Sequence, residues 1–197
     1  MRVAIAVALP QELDGALLKG AAQVVYTGVG KVNAALAVGQ ALQNLKPDIL
    51  INFGTAGAIH PGLFGLLPVS RVVQRDMNAE PLAPRGTTPF HSGPQQLDSG
   101  QPGWVCGTGD SFVSAHDPWF DTAGIHLVDM ELFAIASACQ RMNVAWRSMK
   151  FISDQANGDS PADWQANVRR GEQLFVRWFC DEFLVQLSAL PQTVAPT

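Results

Sequence analysis

Ile125-His126-Leu127-Val128-Asp129-Met130-Glu131-Leu132-Phe133 changes its periodicity halfway through. Ile125 to Val128 is mostly aliphatic, as a short buried strand requires. After Glu131 the apolar residues Leu132, Phe133, Ile135, Ala136, Cys139 and Met142 recur at helical spacing. Asp129 and Glu131 therefore fall at a strand-to-helix corner. The positive end of a helix dipole favours carboxylates there, and open α/β sheets place ligands at the carboxyl ends of their strands. A capping role accounts for Asp129. It does not account for Glu131, because a cap needs no Met-Glu behind it.

The same alternation of strand and helix extends on both sides of this corner. Residues 2–8 read as a strand that is apolar on both faces, as in a sheet covered by helices on each side. Leu9-Pro10-Gln11-Glu12-Leu13 turns out of it into an expected short helix, with Pro10 near its start. Glu12 thus lies just past a strand's carboxyl end, either as a solvent-exposed first-turn residue or as a functional one. Val24–Thr27 is a second strand, followed by Gly28-Val29-Gly30-Lys31-Val32-Asn33 and a helix closed by Pro47. Glycines between strand and helix leave free N–H groups at a helix N-terminus, but this run matches neither the dinucleotide nor the Walker pattern. Asp48–Phe53 reads as a strand ending in Gly54-Thr55-Ala56-Gly57-Ala58, where small residues suit either a tight turn or a ligand lying against the backbone. Val69–Arg75 is a fourth strand, and Asp76–Gly103 reads as a long irregular segment. Trp104-Val105-Cys106 leads into Gly107-Thr108-Gly109-Asp110-Ser111-Phe112-Val113. Past the corner, Val144–Ile152 is a strand ending in Ser153-Asp154. Ser160 and Pro161 open what reads as one long packing helix to about Leu190. One domain over residues 1–190 and a tail over 191–197 are expected.

Composition narrows the function. The net charge of −4, with 13 Lys and Arg among 197 residues, argues against a nucleic-acid surface. Apolar runs fall short of the roughly 20 residues of a membrane span, and the N-terminal strand turns polar too soon for a signal peptide. Cys106, Cys139 and Cys180 stand far apart in apolar surroundings and read as buried free thiols of a reducing, cytoplasmic protein. The four histidines are not paired at ligand spacing either, so no metal is expected.

Six segments now stand in a recognisable order: the first strand leading to Glu12, Gly28–Ala35, Asn52–Gly57, Gly109–Phe112, Val128–Glu131 and Phe151–Asp154. Each is weak alone. Together they resemble the nucleoside phosphorylase superfamily, and most closely its methylthioadenosine/S-adenosylhomocysteine nucleosidase branch, over residues 1 to about 157. The resemblance implies a three-layer α/β/α fold around a central mixed, twisted sheet that curves towards a barrel. The short chain between Leu18 and Thr27 slightly reduces one edge of that sheet. It further implies a cytoplasmic homodimer that hydrolyses the N-ribosidic bond of a 5′-modified purine nucleoside without cofactor or metal. Residue by residue, Glu12 would activate the water and Asp154 would protonate or hydrogen-bond purine N7. Glu131 would accept the ribose hydroxyls, and Met130 would lie against the sugar. Phe112 would stack on the purine, Val113 would offer backbone groups to its edge, and Ser153 would be a further substrate-binding residue. Thr55, Ala56 and Gly57 would line the region of water and sugar.

These residue types suit the chemistry. Loss of an N-linked base leaves an oxocarbenium-like centre that carboxylates stabilise, and a purine needs a proton to leave. The reading expects burial to keep Asp154 protonated while the ribose-side carboxylates stay ionised. The phosphorylase branch carries an arginine where Asn52 stands, and the sequence places no arginine near the other glycine-rich turns, so water is the expected nucleophile. The alternatives are phosphorolysis, a nucleosidase for futalosine or an adenosylated lipid precursor, and a non-catalytic nucleoside-binding protein. Leu132 and Phe133 replace the small residues usual after Met-Glu, so the helix behind the corner is expected to pack differently.

Overall fold

The computed structural model describes residues 1–188, so the expected tail 191–197 lies outside the described residues. In chain order the elements are β1 (Val3–Val7), a 3₁₀ turn (Gly15–Leu18), β2 (Gln23–Tyr26), α1 (Lys31–Leu45), β3 (Ile49–Ala58) and β4 (Leu66–Gln74). β5 (Gln96–Asp98), β6 (Trp104–Thr108), α2 (Trp119–Thr122), β7 (Leu127–Asp129), α3 (Leu132–Arg141) and β8 (Ala145–Asp154) follow. The chain continues through α4 (Ser160–Asn167), α5 (Glu172–Arg177), a π-helical turn (Trp178–Phe183) and α6 (Leu184–Ser188).

Strand alternation builds two cores. Ala4 and Ala6 of β1 face Ala34, Val38 and Leu42 of α1 and the buried face of α3. Val3, Ile5 and Val7 face the opposite way, onto a cluster containing Phe53, Phe151, Phe175, Phe179 and Phe183. Helices therefore cover both faces of the sheet, giving the expected three-layer α/β/α arrangement. Among the described residues no helix is long and apolar enough to cross a membrane. Cys106 and Cys139 are buried free thiols, whereas Cys180 is exposed, contrary to its apolar neighbourhood in sequence.

The sheet is mixed and closes on itself. β1 pairs in parallel with β2 and β3, and β3 pairs in parallel with β8. β3 also pairs antiparallel with β7, β7 runs parallel to β6, β6 to β4, and β4 pairs antiparallel with β8. The path β3–β7–β6–β4–β8 thus returns to β3 as a small barrel, from which β1 and β2 extend on one side and β5 on another. On one edge of β3, β1 pairs with Ile49–Asn52 and β7 with Gly57 and Ala58. Between these two partners the edge of β3 splits open.

Several segments differ from the sequence reading, among them β5, which forms inside the Asp76–Gly103 stretch read as irregular by pairing with β4. The helix expected after Pro10 is only a turn: Glu12 N donates to Leu9 O at 3.0 Å, and the Glu12 carboxylate accepts from Leu9 N at 3.1 Å, closing the chain on itself. Gly54–Ala58 is not a turn but the second half of β3, since β8 supplies its ladder as far as Gly57. The C-terminal helix is not continuous: it breaks between Asn167 and Glu172, and α4 packs on β8 apart from the Phe175 cluster. Gly171 sits at that break because a Cβ there would lie 2.5 Å from the Cβ of Phe151.

Gly171 gives a direct test. In a continuous helix Gly171→Ala would stabilise the protein by about 0.5–1 kcal/mol through propensity. Here the methyl group collides with Phe151, so urea unfolding should show a loss of about 1–3 kcal/mol instead.

Candidate active site

The split in β3 places the first functional group. Thr55 N has no strand partner on that edge and donates to Glu12 Oε1 at 2.8 Å, and Thr55 Oγ1 donates to the same oxygen at 2.8 Å. Glu12 is thereby held over the sheet by three donors, counting Leu9 N, although it belongs to a tight turn. It is buried, as are Glu131 and Asp154. Gly54 lies beside it, where a Cβ would just touch Glu12 Oε1 at 3.5 Å and Lys150 Nζ at 3.4 Å.

Asp154 closes β8. Its Oδ1 accepts from Ala156 N and its Oδ2 from Ser153 Oγ, both at 2.9 Å, so the carboxyl group is fixed from two sides. Gly57 lies opposite in the ladder, and a Cβ there would come within 2.7 Å of Asp154 Oδ1. The small residues of β3 therefore serve the carboxylates that overhang them.

The corner after β7 divides its two acids as the sequence suggests. Asp129 Oδ2 accepts from Leu132 N at 2.8 Å and Glu131 N at 3.3 Å, capping α3. The same carboxylate accepts from Thr108 Oγ1 and Cys106 Sγ and pairs with Lys150 Nζ at 2.8 Å, with both side chains buried. Burial alone would raise the Asp129 pKa, but the charge and hydrogen bond of Lys150 hold it below the usual carboxylate range. Lys150 is correspondingly raised: burial works against its charge, and Asp129, with Cys106 and Glu131, outweighs it. Glu131 Oε1 accepts from Gly30 N at 2.9 Å. Burial, reinforced by the Asp129 charge, pushes Glu131 up to about 7 against the opposing pull of Lys150 and the Gly30 N–H. The ribose-side carboxylate expected to be fully ionised thus titrates near neutrality in the free protein. Leu132 is fully buried, and Phe133 N donates to Thr108 Oγ1 at 3.0 Å, which accommodates the unusual pair behind the corner.

A single cleft brings these groups together. Glu12, Thr55, Ala56, Gly57, Phe112, Val113, Met130, Glu131, Ser153 and Asp154 all line it. Phe112 stands half-exposed at its edge, and Val113 is buried behind. Trp164 and Arg75 are among the lining residues that were not foreseen. Trp164 of α4, the helix read from sequence as packing alone, stands edge-to-face with Phe112 at 6.4 Å and donates from Nε1 to Thr55 Oγ1 at 2.9 Å. Its position after a proline-capped start, close behind the Asp154 strand end, was the available signal. Arg75, at the end of β4, contradicts the expectation that no arginine approaches the glycine-rich turns. Its Nη2 donates to Gly109 O at 3.0 Å and to Ser111 O, and its Nη1 to Ser111 Oγ at 3.2 Å. It therefore straps the loop that carries Phe112. Gly109 permits this approach, because a Cβ there would lie 2.9 Å from the guanidinium carbon.

The N-terminus of α1 is already satisfied by carboxylates of the chain itself. Gly30 N is taken by Glu131, and Lys31 N donates to Asp110 Oδ1 at 2.7 Å. Lys31 Nζ bonds Asp76 at 2.6 Å, and Asp76 in turn accepts from Asp110 N at 2.9 Å.

Comparison with known proteins agrees with this architecture. A profile of the phosphorylase superfamily matches residues 15–100 and 101–184. A 5′-methylthioadenosine/S-adenosylhomocysteine nucleosidase of Haemophilus influenzae is 30% identical, over 83% of this chain and 80% of its own. The Staphylococcus aureus enzyme of the same name is 29% identical, over 75% and 74%. Among solved structures, a mutant Helicobacter pylori nucleosidase with 5′-methylthioadenosine in its active site superposes with a TM-score of 0.82 at 17% identity, over 96% of this chain and 99% of that one. A mutant of futalosine hydrolase from Helicobacter pylori superposes at 0.81, also at 17% identity, over 96% and 100%. Profile, relatives and fold coincide over nearly the whole described chain, and this protein belongs to the phosphorylase superfamily.

Proposed function

We propose that the protein is a purine nucleoside N-glycosidase that hydrolyses a 5′-modified adenosine of the methylthioadenosine/S-adenosylhomocysteine type to free base and sugar. The observation that carries this reading is the convergence of Glu12, Glu131 and Asp154, from three strand ends, on one cleft with an aromatic edge. Glu12 takes a proton from the attacking water as its oxygen bonds to the anomeric carbon. The bond from that carbon to the purine breaks with its electron pair on the base, and Asp154 in its acid form gives its proton to N7. Glu131 accepts the ribose hydroxyls, with Met130 against the sugar. Phe112 stacks on the base, with the Val113 backbone and Ser153 at its edge.

Water rather than phosphate is the nucleophile in this reading. The N–H groups of Gly30 and Lys31, where an anion would dock on α1, are held by Glu131 and Asp110, and Lys31 Nζ is bound to Asp76. A phosphate entering there would meet three carboxylates and would have to displace hydrogen bonds they already make. Arg75 is engaged in strapping the Phe112 loop, with Nη2 donating to the Gly109 and Ser111 carbonyls and Nη1 to Ser111 Oγ. A cytoplasmic homodimer completes the proposal. Exposed Val32 and Leu36 on one face of α1 supply apolar surface for a second copy, and buried thiols suit a reducing compartment.

Incubation with methylthioadenosine, S-adenosylhomocysteine, inosine and adenosine, with and without phosphate, tests the reaction. Free base and free sugar at a rate independent of phosphate are expected; a sugar 1-phosphate formed only with phosphate, or binding without release, would overturn the reading. Asp154→Asn and Glu12→Gln should each lower kcat roughly 100- to 10,000-fold. The state of Glu131 sets the pH dependence. Its ionised form accepts the ribose hydroxyls, so kcat/KM should rise with pH through about 7. In Glu131→Gln that limb near 7 should vanish, at a reduced kcat/KM.

A further inference from the structure

We propose that Trp164 is a positioning residue for this hydrolysis: its indole N–H fixes the Thr55 hydroxyl, so that Thr55 gives its one proton to Glu12 and turns only an acceptor lone pair towards the attacking water. The inference rests on the nucleosidase reading of the cleft. An indole N–H can only donate and a carboxylate can only accept, whereas a hydroxyl carries one proton and two lone pairs. Trp164 Nε1 stands 2.9 Å from Thr55 Oγ1, and Thr55 Oγ1 stands 2.8 Å from Glu12 Oε1. One lone pair of the hydroxyl is therefore occupied by the indole and its proton by Glu12, leaving a single lone pair free. Glu12 is also only an acceptor towards the cleft, with Leu9 N and Thr55 N already donating to it.

A water bound between these two groups must donate both of its protons, one to Thr55 and one to Glu12. Its own lone pairs then point away from the sheet, towards the sugar carbon. Without the indole the hydroxyl is free to rotate and donate to the water, which would occupy the lone pair that attacks. The indole is itself held from the other side, edge-to-face at 79° against Phe112. The base-stacking wall and the water-orienting hydroxyl are thus joined through one side chain.

Trp164→Phe keeps a ring against Phe112 and removes only the donor. It should lower kcat about 3- to 10-fold, the usual range for one hydrogen bond, with KM within about two-fold of wild type. In a Thr55→Val background the same substitution should change kcat by less than about 1.5-fold, because the group it orients is gone. The hydrogen bond has a readout of its own. Thr55→Val should shift one of the five tryptophan indole N–H signals in a nitrogen-15 spectrum, the one missing from Trp164→Phe. An unchanged kcat in Trp164→Phe, an effect confined to KM, an undiminished effect in the Thr55→Val background, or an indole spectrum indifferent to Thr55→Val would each overturn the proposal. If the wild-type protein releases no base at all, the nucleosidase reading itself falls; the indole spectrum identifies that case by still responding to Thr55→Val.

Discussion

A lysine and an aspartate buried together inside the barrel hold the active end of this fold in place. Lys150 Nζ lies 2.8 Å from Asp129, with both side chains essentially inaccessible to water. Through its other hydrogen bonds Asp129 also ties the end of β6 to the first turn of α3. Removing one partner of such a pair typically costs about 3–5 kcal/mol, because the other charge is left buried alone. Here the cost would be compounded, since β6, β7, β8 and α3 all meet at the same carboxylate. The pair also sets the electrostatic background for catalysis. Its cation stands beneath Gly54 and offsets part of the negative charge that Glu131 and Asp129 bring into a small volume.

The site follows from a defect in the sheet rather than from any one motif. β3 pairs with β1 early and with β7 late, and in the interval its N–H groups look for other partners. Glu12 fills that interval, and ligand binding at such a change of neighbours is the general rule for open α/β sheets. A glycine of β3 follows the same logic. Gly57 is small because Asp154 occupies the space a side chain there would need.

The amino-acid pattern revealed every strand but β5, helices α1 and α3 and the corner at Asp129–Glu131, because each depends on local periodicity and a short cap. It also assembled the lining of the cleft, since acidic and small residues at strand ends carry an ordered signature. What it could not show depends on neighbours distant in sequence. Whether Gly54–Ala58 is a turn or a strand is decided by β8, roughly a hundred residues later. Arg75 was overlooked because it reaches Gly109 from the end of another strand. Trp164 was counted as packing because Ser160 and Pro161 open a run that reads as one helix, and the break at Gly171 that frees α4 to face the cleft is set by contact with Phe151.

The closed ring of strands also constrains the order in which the molecule can be made. Asn52 and Ser148, hydrogen-bonded at 2.9 Å, are 96 positions apart, and the ring has no alternative seam through which β3 can find its second neighbour. During synthesis the N-terminal strands must therefore wait, with an apolar edge unpaired, until β8 leaves the ribosome. The same closure that fixes the carboxylates so firmly places the last pairing of the ring late in the chain, and leaves an interval in which an unpaired strand edge is exposed to other chains.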